Sequence, residues 1–288
     1  MDKHIKIIEC PRDAMQGIKM FIPTEKKITY LQTLLNCGFD SLDFGSFVSP
    51  KAIPQMIDTV EVLANLDLSK TNTKLLAIVA NVRGAIAASL HKPIQYLGYP
   101  FSISENFQMR NTHKTINQSI ESLKEILDIA SKTDKEVVAY LSMGFGNPYG
   151  DPWNVEIVGE WTEKLSNMGV KILSLSDTIG SSTPEDINYI FSNLIPKYTN
   201  IEFGAHLHTT PSSWHEKIDA AYKAGCTRYD GAIQGFGGCP MAKDVLTGNM
   251  PTEKVLSYFT TEKAVTNVNP MAFEASYNKA SDIFNHYH

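Results

Sequence analysis

The segment His206-Leu207-His208 closes an apolar run, Ile201-Glu202-Phe203-Gly204-Ala205. If that run is a strand, successive side chains alternate faces and both imidazoles point the same way. Two imidazoles on one face of a rigid element form half of a metal site. Asp13 and Arg12 follow the first apolar run of the chain and offer the complementary chemistry. Asp13 with His206 and His208 would place one carboxylate and two imidazoles around a cation, with open positions for a bidentate oxygen ligand. Such a set suits Mg²⁺ or Mn²⁺ as well as Zn²⁺, Fe²⁺ or Co²⁺. Arg12 is a fixed multi-donor cation able to hold an oxyanion forming beside the metal. Cys239 sits in Gln234-Gly235-Phe236-Gly237-Gly238-Cys239-Pro240, where glycines bring backbone close to a ligand and let the loop move. That setting argues for a thiol placed over the site. Cys37 and Cys226, at helix ends, are expected to be inert core cysteines.

These groups can act together only if distant segments meet. Eight short apolar runs read as strands: Ile5–Glu9, Ser41–Phe44, Lys74–Val79, Ile94–Leu97, Val137–Leu141, Ile172–Leu175, Ile201–His206 and Arg228–Ala232. Amphipathic stretches lie between them, including Glu25–Asn36, Ile116–Ser131, Val155–Asn167, Pro184–Leu194 and Trp214–Ala224. Thr183-Pro184-Glu185-Asp186 is a helix start, with an N-cap hydroxyl, proline in the first turn and acids behind it. Alternation of strands and helices means a parallel sheet, and eight units fit a single α/β domain of the (β/α)₈ TIM-barrel type spanning 1–288. Asn269–Asn285 is expected to be a final helix packed on the barrel. A doubly wound dinucleotide fold would need Gly-x-Gly-x-x-Gly after the first strand; Cys10-Pro11-Arg12-Asp13 stands there instead. Barrel active sites lie at the C-terminal strand ends. Arg12, Asp13, Asp43, Ser142, Asp177, His206 and the Gly235–Pro240 loop all fall at that rim.

Composition bounds the partners. The 288 residues are 43% hydrophobic and 20% charged, so a large core is expected and disorder is not. A net charge of −5 with no basic run argues against nucleic acid as a partner. The apolar runs are too short to cross a bilayer. The four cysteines form no Cys-x-x-Cys pair, and Met1-Asp2-Lys3-His4 leads at once into the first strand. A reduced, cytoplasmic protein is the expectation.

The same residues carry a family resemblance. Arg12-Asp13 with Gln16, Ser46-Phe47-Val48-Ser49-Pro50-Lys51 with Pro54-Gln55-Met56, Ser174-Leu175-x-Asp177-Thr178-Ile179-Gly180, His206-x-His208, and Gly237-Gly238-Cys239-Pro240 with Gly248-Asn249 occur in one order. Together they resemble the 3-hydroxy-3-methylglutaryl-CoA lyases of the metal-dependent barrel lyase/synthase superfamily, over nearly the whole chain. The resemblance implies Asp13, His206, His208 and Asn249 as ligands of a divalent cation, Mg²⁺ or Mn²⁺. It implies Arg12 and Gln16 on the substrate side and Cys239 as the catalytic thiol. The implied reaction splits hydroxymethylglutaryl-CoA, an acyl-CoA of leucine breakdown, into acetyl-CoA and acetoacetate. On that chemistry Cys239 is the proton donor, and the first base stays open between Asp13, His206 and a water on the cation. Asp43, Asp177 and Glu253 are expected to orient the groups in front of them.

The chain departs from the family pattern at Asp43, where Glu is usual, at Ala14, where Gly is usual, at Thr209 after the histidines, and at Val138, where Arg is expected. Those departures bear on acyl-group specificity more than on reaction type. A condensing synthase or oxo-acid aldolase is the neighbouring alternative, and a non-catalytic metabolite-binding barrel the remote one. Assembly into a homo-oligomer stays open.

Overall fold

Eight parallel strands close into a barrel: β1 (Lys6–Glu9), β2 (Ser41–Ser46), β3 (Lys74–Ile78), β4 (Ile94–Ser102), β5 (Glu136–Ser142), β6 (Ile172–Asp177), β7 (Glu202–Leu207) and β8 (Arg228–Gly231). Each pairs with its sequence neighbours, and β1 pairs with β8. The computed structural model describes residues 4–238 and 247–287. The helices among them are α1 (Pro11–Gln16), α2 (Thr24–Leu35), α3 (Thr59–Ala64), α4 (Val82–Ser89), α5 (Glu105–Thr112), α6 (Ile116–Lys132), α7 (Val155–Asn167), α8 (Pro184–Lys197), α9 (Trp214–Lys223), α10 (Thr252–Thr261) and α11 (Pro270–Tyr287). All eight strand runs read from the sequence become strands.

Local chemistry explains the elements that position the rim. Thr183 caps α8 in a reciprocal box: its hydroxyl accepts from the Asp186 amide, and the Asp186 carboxylate accepts from Thr183. A cap of this kind contributes about 1 kcal/mol. Arg12 and Asp13, read from the sequence only as rim residues after the first strand, lie on α1. Pro11 fixes φ for a first helical residue and needs no amide partner there, so the chain turns helical one residue past Cys10. In β2 the register slips between Asp43 and Gly45. Such an irregularity re-aims side chains, here at the rim where Asp43 works.

The main apolar core lies between strands and helices, with Leu42, Ala77, Leu97, Leu141, Leu173 and Ala205 facing outward onto the helices. The barrel interior divides in two. Leu76, Ile78, Tyr96, Val138, Tyr140 and Ile172 fill the side formed by β3 to β6. The β7–β8–β1 side holds charge instead: Lys6 pairs with Glu202, and Glu202 pairs with the buried Arg228. α11 closes one flank, packing against α2 and stacking Phe284 on Phe236. No described helix is long and apolar enough to cross a membrane.

Candidate metal centre

α1 presents three interlocked side chains. Arg12 Nη1 donates to Asp13 Oδ1 at 3.0 Å and to Gln16 Oε1 at 2.8 Å. Its Nε and Nη2 grip Asp43, with Nε to Oδ2 at 3.0 Å. Asp43 therefore acts on Arg12, holding the guanidinium in a two-point grip that fixes its plane. Gln16 Nε2 donates to Asp13 Oδ1. The other carboxylate oxygen, Asp13 Oδ2, accepts from Asn249 Nδ2 at 2.7 Å. Burial alone would raise the Asp13 carboxyl, but Arg12 and the two imidazoles outweigh it and hold it below its ordinary value. For Asp43 the balance goes the other way: burial exceeds the pull of Arg12 and lifts it to about 6.

Asp13, His206 and His208 bring one ligand atom each within 4.8 Å of one another. The partners behind the rings decide which nitrogens are free. His208 Nδ1 faces the Thr247 carbonyl at 3.0 Å, and a carbonyl only accepts, so Nδ1 carries hydrogen and Nε2 the lone pair. His206 Nδ1 faces Asp230 Oδ2 at 3.1 Å, which leaves its Nε2 in the same way. Asn249 spends its amide hydrogens on Asp13 and the Phe236 carbonyl, and its Oδ1 takes no hydrogen bond among the described residues. Burial, then the neighbouring His206 ring, pushes His208 down to about 4, so it is neutral, as a ligand must be, at neutral pH. His206 goes up: burial would lower it, but Asp230 wins. One carboxylate, two imidazole Nε2 atoms and one amide oxygen form a donor set that fits a divalent cation.

Behind these groups lie supports of two kinds. Lys217 donates to Asp177 Oδ2 at 2.7 Å and to the carbonyls of Gly180 and His208 at 3.0 Å. Asp177 thus touches no ligand side chain. It anchors the lysine that pins the His208 backbone. Glu253 accepts the Gln234 amide at 3.0 Å and braces the chain after β8, away from the ligands. Cys239 lies outside the described residues.

Sequence reading missed Asp230 and Glu9. Both sit in predicted strands, and Asp230 is an acid at the same parity as the inward-facing Arg228, a signal the strand pattern contains. Glu9 is fully buried and accepts from the Ile233 amide at 2.9 Å and the Thr252 hydroxyl, clamping both ends of the stretch that holds Cys239. Burial pushes Glu9 up to about 8. Between about 4.5 and about 8 the folded protein keeps a proton that the unfolded chain gives up, so this group makes stability fall as pH rises through that window. Glu9→Gln cannot ionise, and its amide can serve both partners. The melting temperature of Glu9→Gln minus that of the native protein should therefore rise from about pH 5 to about pH 9, by the equivalent of roughly 4 kcal/mol at most. A flat difference would mean that Glu9 does not titrate there.

The site opens into a cleft of about 170 Å³. Val48, Ile53, Ile78 and Phe107 form an apolar wall, while Asn111, Ser142 and Thr178 add polar edges beside Arg12 and Asp13. An oily wall with a few convergent polar groups suits a small organic substrate.

Comparisons with known proteins point to one family. A family model described as HMGL-like matches residues 4–277. The hydroxymethylglutaryl-CoA lyase YngG of Bacillus subtilis is 32% identical over 261 residues, covering 90% of this chain and 85% of that protein. A 3-hydroxy-3-isohexenylglutaryl-CoA/hydroxy-methylglutaryl-CoA lyase of Pseudomonas aeruginosa is 30% identical over 257 residues, 89% of this chain and 85% of that one. Among solved structures, an HMG-CoA lyase of Acinetobacter baumannii in complex with coenzyme A and 3-methylmalate superposes with a TM-score of 0.89 at 27% identity, covering 96% of this chain and 90% of that one.

Proposed function

The chain belongs to the HMGL-like family, and from that premise we propose that it is a carbon–carbon lyase cleaving 3-hydroxy-3-methylglutaryl-CoA to acetyl-CoA and acetoacetate. The observation that carries the reading is the Asp13–His206–His208 cluster, within 4.8 Å, beside Arg12 at the mouth of a cleft. The cation is Mg²⁺ or Mn²⁺ in this reading, the chain one catalytic domain, its setting the cytoplasm and its pathway leucine breakdown.

A divalent cation held by Asp13, His206, His208 and Asn249 supplies Lewis acidity to the substrate oxygens it meets. The chain's own groups do the rest. The tertiary hydroxyl gives up its proton to Asp13, because His206 already donates through Nδ1 to Asp230 and commits Nε2 to the cation. The bond between the hydroxyl-bearing carbon and the carbon next to the thioester then breaks. Its electron pair passes to the thioester side, leaving an enolate. Arg12, its plane fixed by Asp43, holds the negative enolate oxygen without reorganising. Cys239 delivers the proton that turns the enolate carbon into the methyl group of acetyl-CoA. The apolar wall of Val48, Ile53 and Phe107 receives the acyl chain and keeps water from the enolate.

The test is direct: purified protein with Mn²⁺ or Mg²⁺ and hydroxymethylglutaryl-CoA should release acetoacetate. Turnover of a different 3-hydroxyacyl-CoA instead would keep the reaction and replace the substrate. No turnover of any acyl-CoA would end both. A longer acyl group is the second reading, favoured by the oily cleft wall and by the isohexenyl substrate in the name of the Pseudomonas relative.

A further inference from the structure

Two donor sets share the His206 ring. Asp13, His206 and His208 place their ligand atoms within 4.8 Å of one another, and so do Cys10, His206 and Asp230. The first set uses Nε2. The second lies on the Nδ1 side, where Asp230 Oδ2 stands 3.1 Å away. A catalytic cation at Nε2 needs the ring held still from behind by the carboxylate, not drawn into a rival site.

Arg228 bears on that balance. It lies two residues before Asp230 on β8, so both side chains enter the barrel from the same face. It is 1% exposed, and β7 gives up a side chain to admit it: a Cβ on Gly204 would stand 3.1 Å from Arg228 Cδ. Arg228 Nη1 donates to Glu202 Oε1 at 3.1 Å, and Glu202 is tied to Lys6. Asp230 Oδ2 also accepts from Ser174 Oγ at 3.2 Å, whereas Asp230 Oδ1 and Arg228 Nε and Nη2 have no hydrogen-bond partner among the described residues, so the guanidinium acts on this carboxylate through its charge and not through a contact. A buried carboxylate with one oxygen unbonded is costly unless a counter-charge is near. Burial would lower the Arg228 guanidinium, and Asp230, ahead of Tyr140 and Glu202, more than offsets it. The charges then run in order from the lower mouth of the barrel to the metal centre: Lys6, Glu202, Arg228, Asp230, His206.

We propose that Arg228 is a positioning residue for the metal centre: as the resident cation of the barrel interior it holds Asp230 against His206 Nδ1 and so keeps Nε2 aimed at the divalent cation. The inference rests on the metal-centre reading above.

The experiment measures Mn²⁺ affinity of metal-stripped protein from the electron paramagnetic resonance signal of free Mn²⁺. Arg228→Met should weaken binding about ten- to a hundred-fold, the range for partners that orient metal ligands. Arg228→Lys, which keeps the charge, should restore most of the affinity. In an Asp230→Asn background, adding Arg228→Met should change nothing further, because the group it acts through is gone. Unchanged affinity in Arg228→Met, or an equal loss in both backgrounds, would overturn the proposal. If Arg228→Met does not fold, the comparison of Asp230→Asn with the double variant, whose two interior charges are removed together, decides alone. If the native protein itself takes up no Mn²⁺, the metal-centre reading falls first and this inference with it.

Discussion

His208→Ala is expected to abolish divalent-cation binding and, with it, acetoacetate release. His208 is 3% exposed, is pinned through Nδ1 by the Thr247 carbonyl and through its own carbonyl by Lys217, and offers Nε2 to the same point as Asp13 and His206. Its low proton affinity, down at about 4, means that no proton has to be expelled before a metal binds at neutral pH. Alanine removes that donor, and nothing described nearby can replace it: Asn249 is committed, and Lys217 already serves three acceptors. Mn²⁺ affinity should fall by more than the roughly hundredfold seen when only a supporting partner is lost. Turnover should drop roughly a thousandfold or more, as expected when several kcal/mol of charge stabilisation disappear. Excess Mn²⁺ should not restore it. Metal analysis of the purified variant together with the acetoacetate assay checks both halves. One retained equivalent of cation would mean that His208 is not a ligand.

The parts of this site that the sequence revealed are those whose signal is local. His206 and His208 declared themselves by strand parity, although the strand ends at Leu207 and His208 is held by a single bridge to Asn249. Arg12 and Asp13 were legible as a rim pair, but not the short helix that locks Arg12, Asp13 and Gln16 into one network, since a six-residue helix carries almost no periodicity. Asn249 could be reached only through family resemblance, because nothing local distinguishes an asparagine that ligates from one that turns the chain. Asp43 looked like a shortened replacement, and only the structure shows that its carboxylate still spans Nε and Nη2 of Arg12. Val138 was visible as a missing arginine. That it joins an apolar half-barrel, while the buried guanidinium stands on β8 as Arg228, depends on which strands face each other across the interior. Such facing is set by closure of the whole barrel, and no window of sequence contains it.

Cys239→Ala is expected to separate catalysis from metal binding. The chain approaching this residue is pressed against the ligands: a Cβ on Gly237 would stand 2.6 Å from Asn249 Nδ2 and 2.8 Å from the Asp13 carbonyl oxygen. Only a residue without a side chain can pass there, so the backbone itself forms part of the wall. Cys239 follows two residues later in the sequence. Eight residues further on, Thr247 returns to accept from His208 Nδ1. Both flanks of the stretch thus contact residues of the proposed metal centre, and its base is clamped by Glu9 and Glu253. A thiol delivered by such a stretch suits the last step, giving a proton to the enolate carbon. Its loss should lower kcat by about 10² to 10⁴, the usual worth of a positioned proton donor. Mn²⁺ affinity should stay at the native value, because no ligand has changed. The same variant should lose enzyme-catalysed exchange of the acetyl-CoA methyl protons with D₂O, a readout that isolates the proton step from carbon–carbon cleavage. Native exchange alongside slow turnover would move the proton to another donor and leave Cys239 with a role in closing the site.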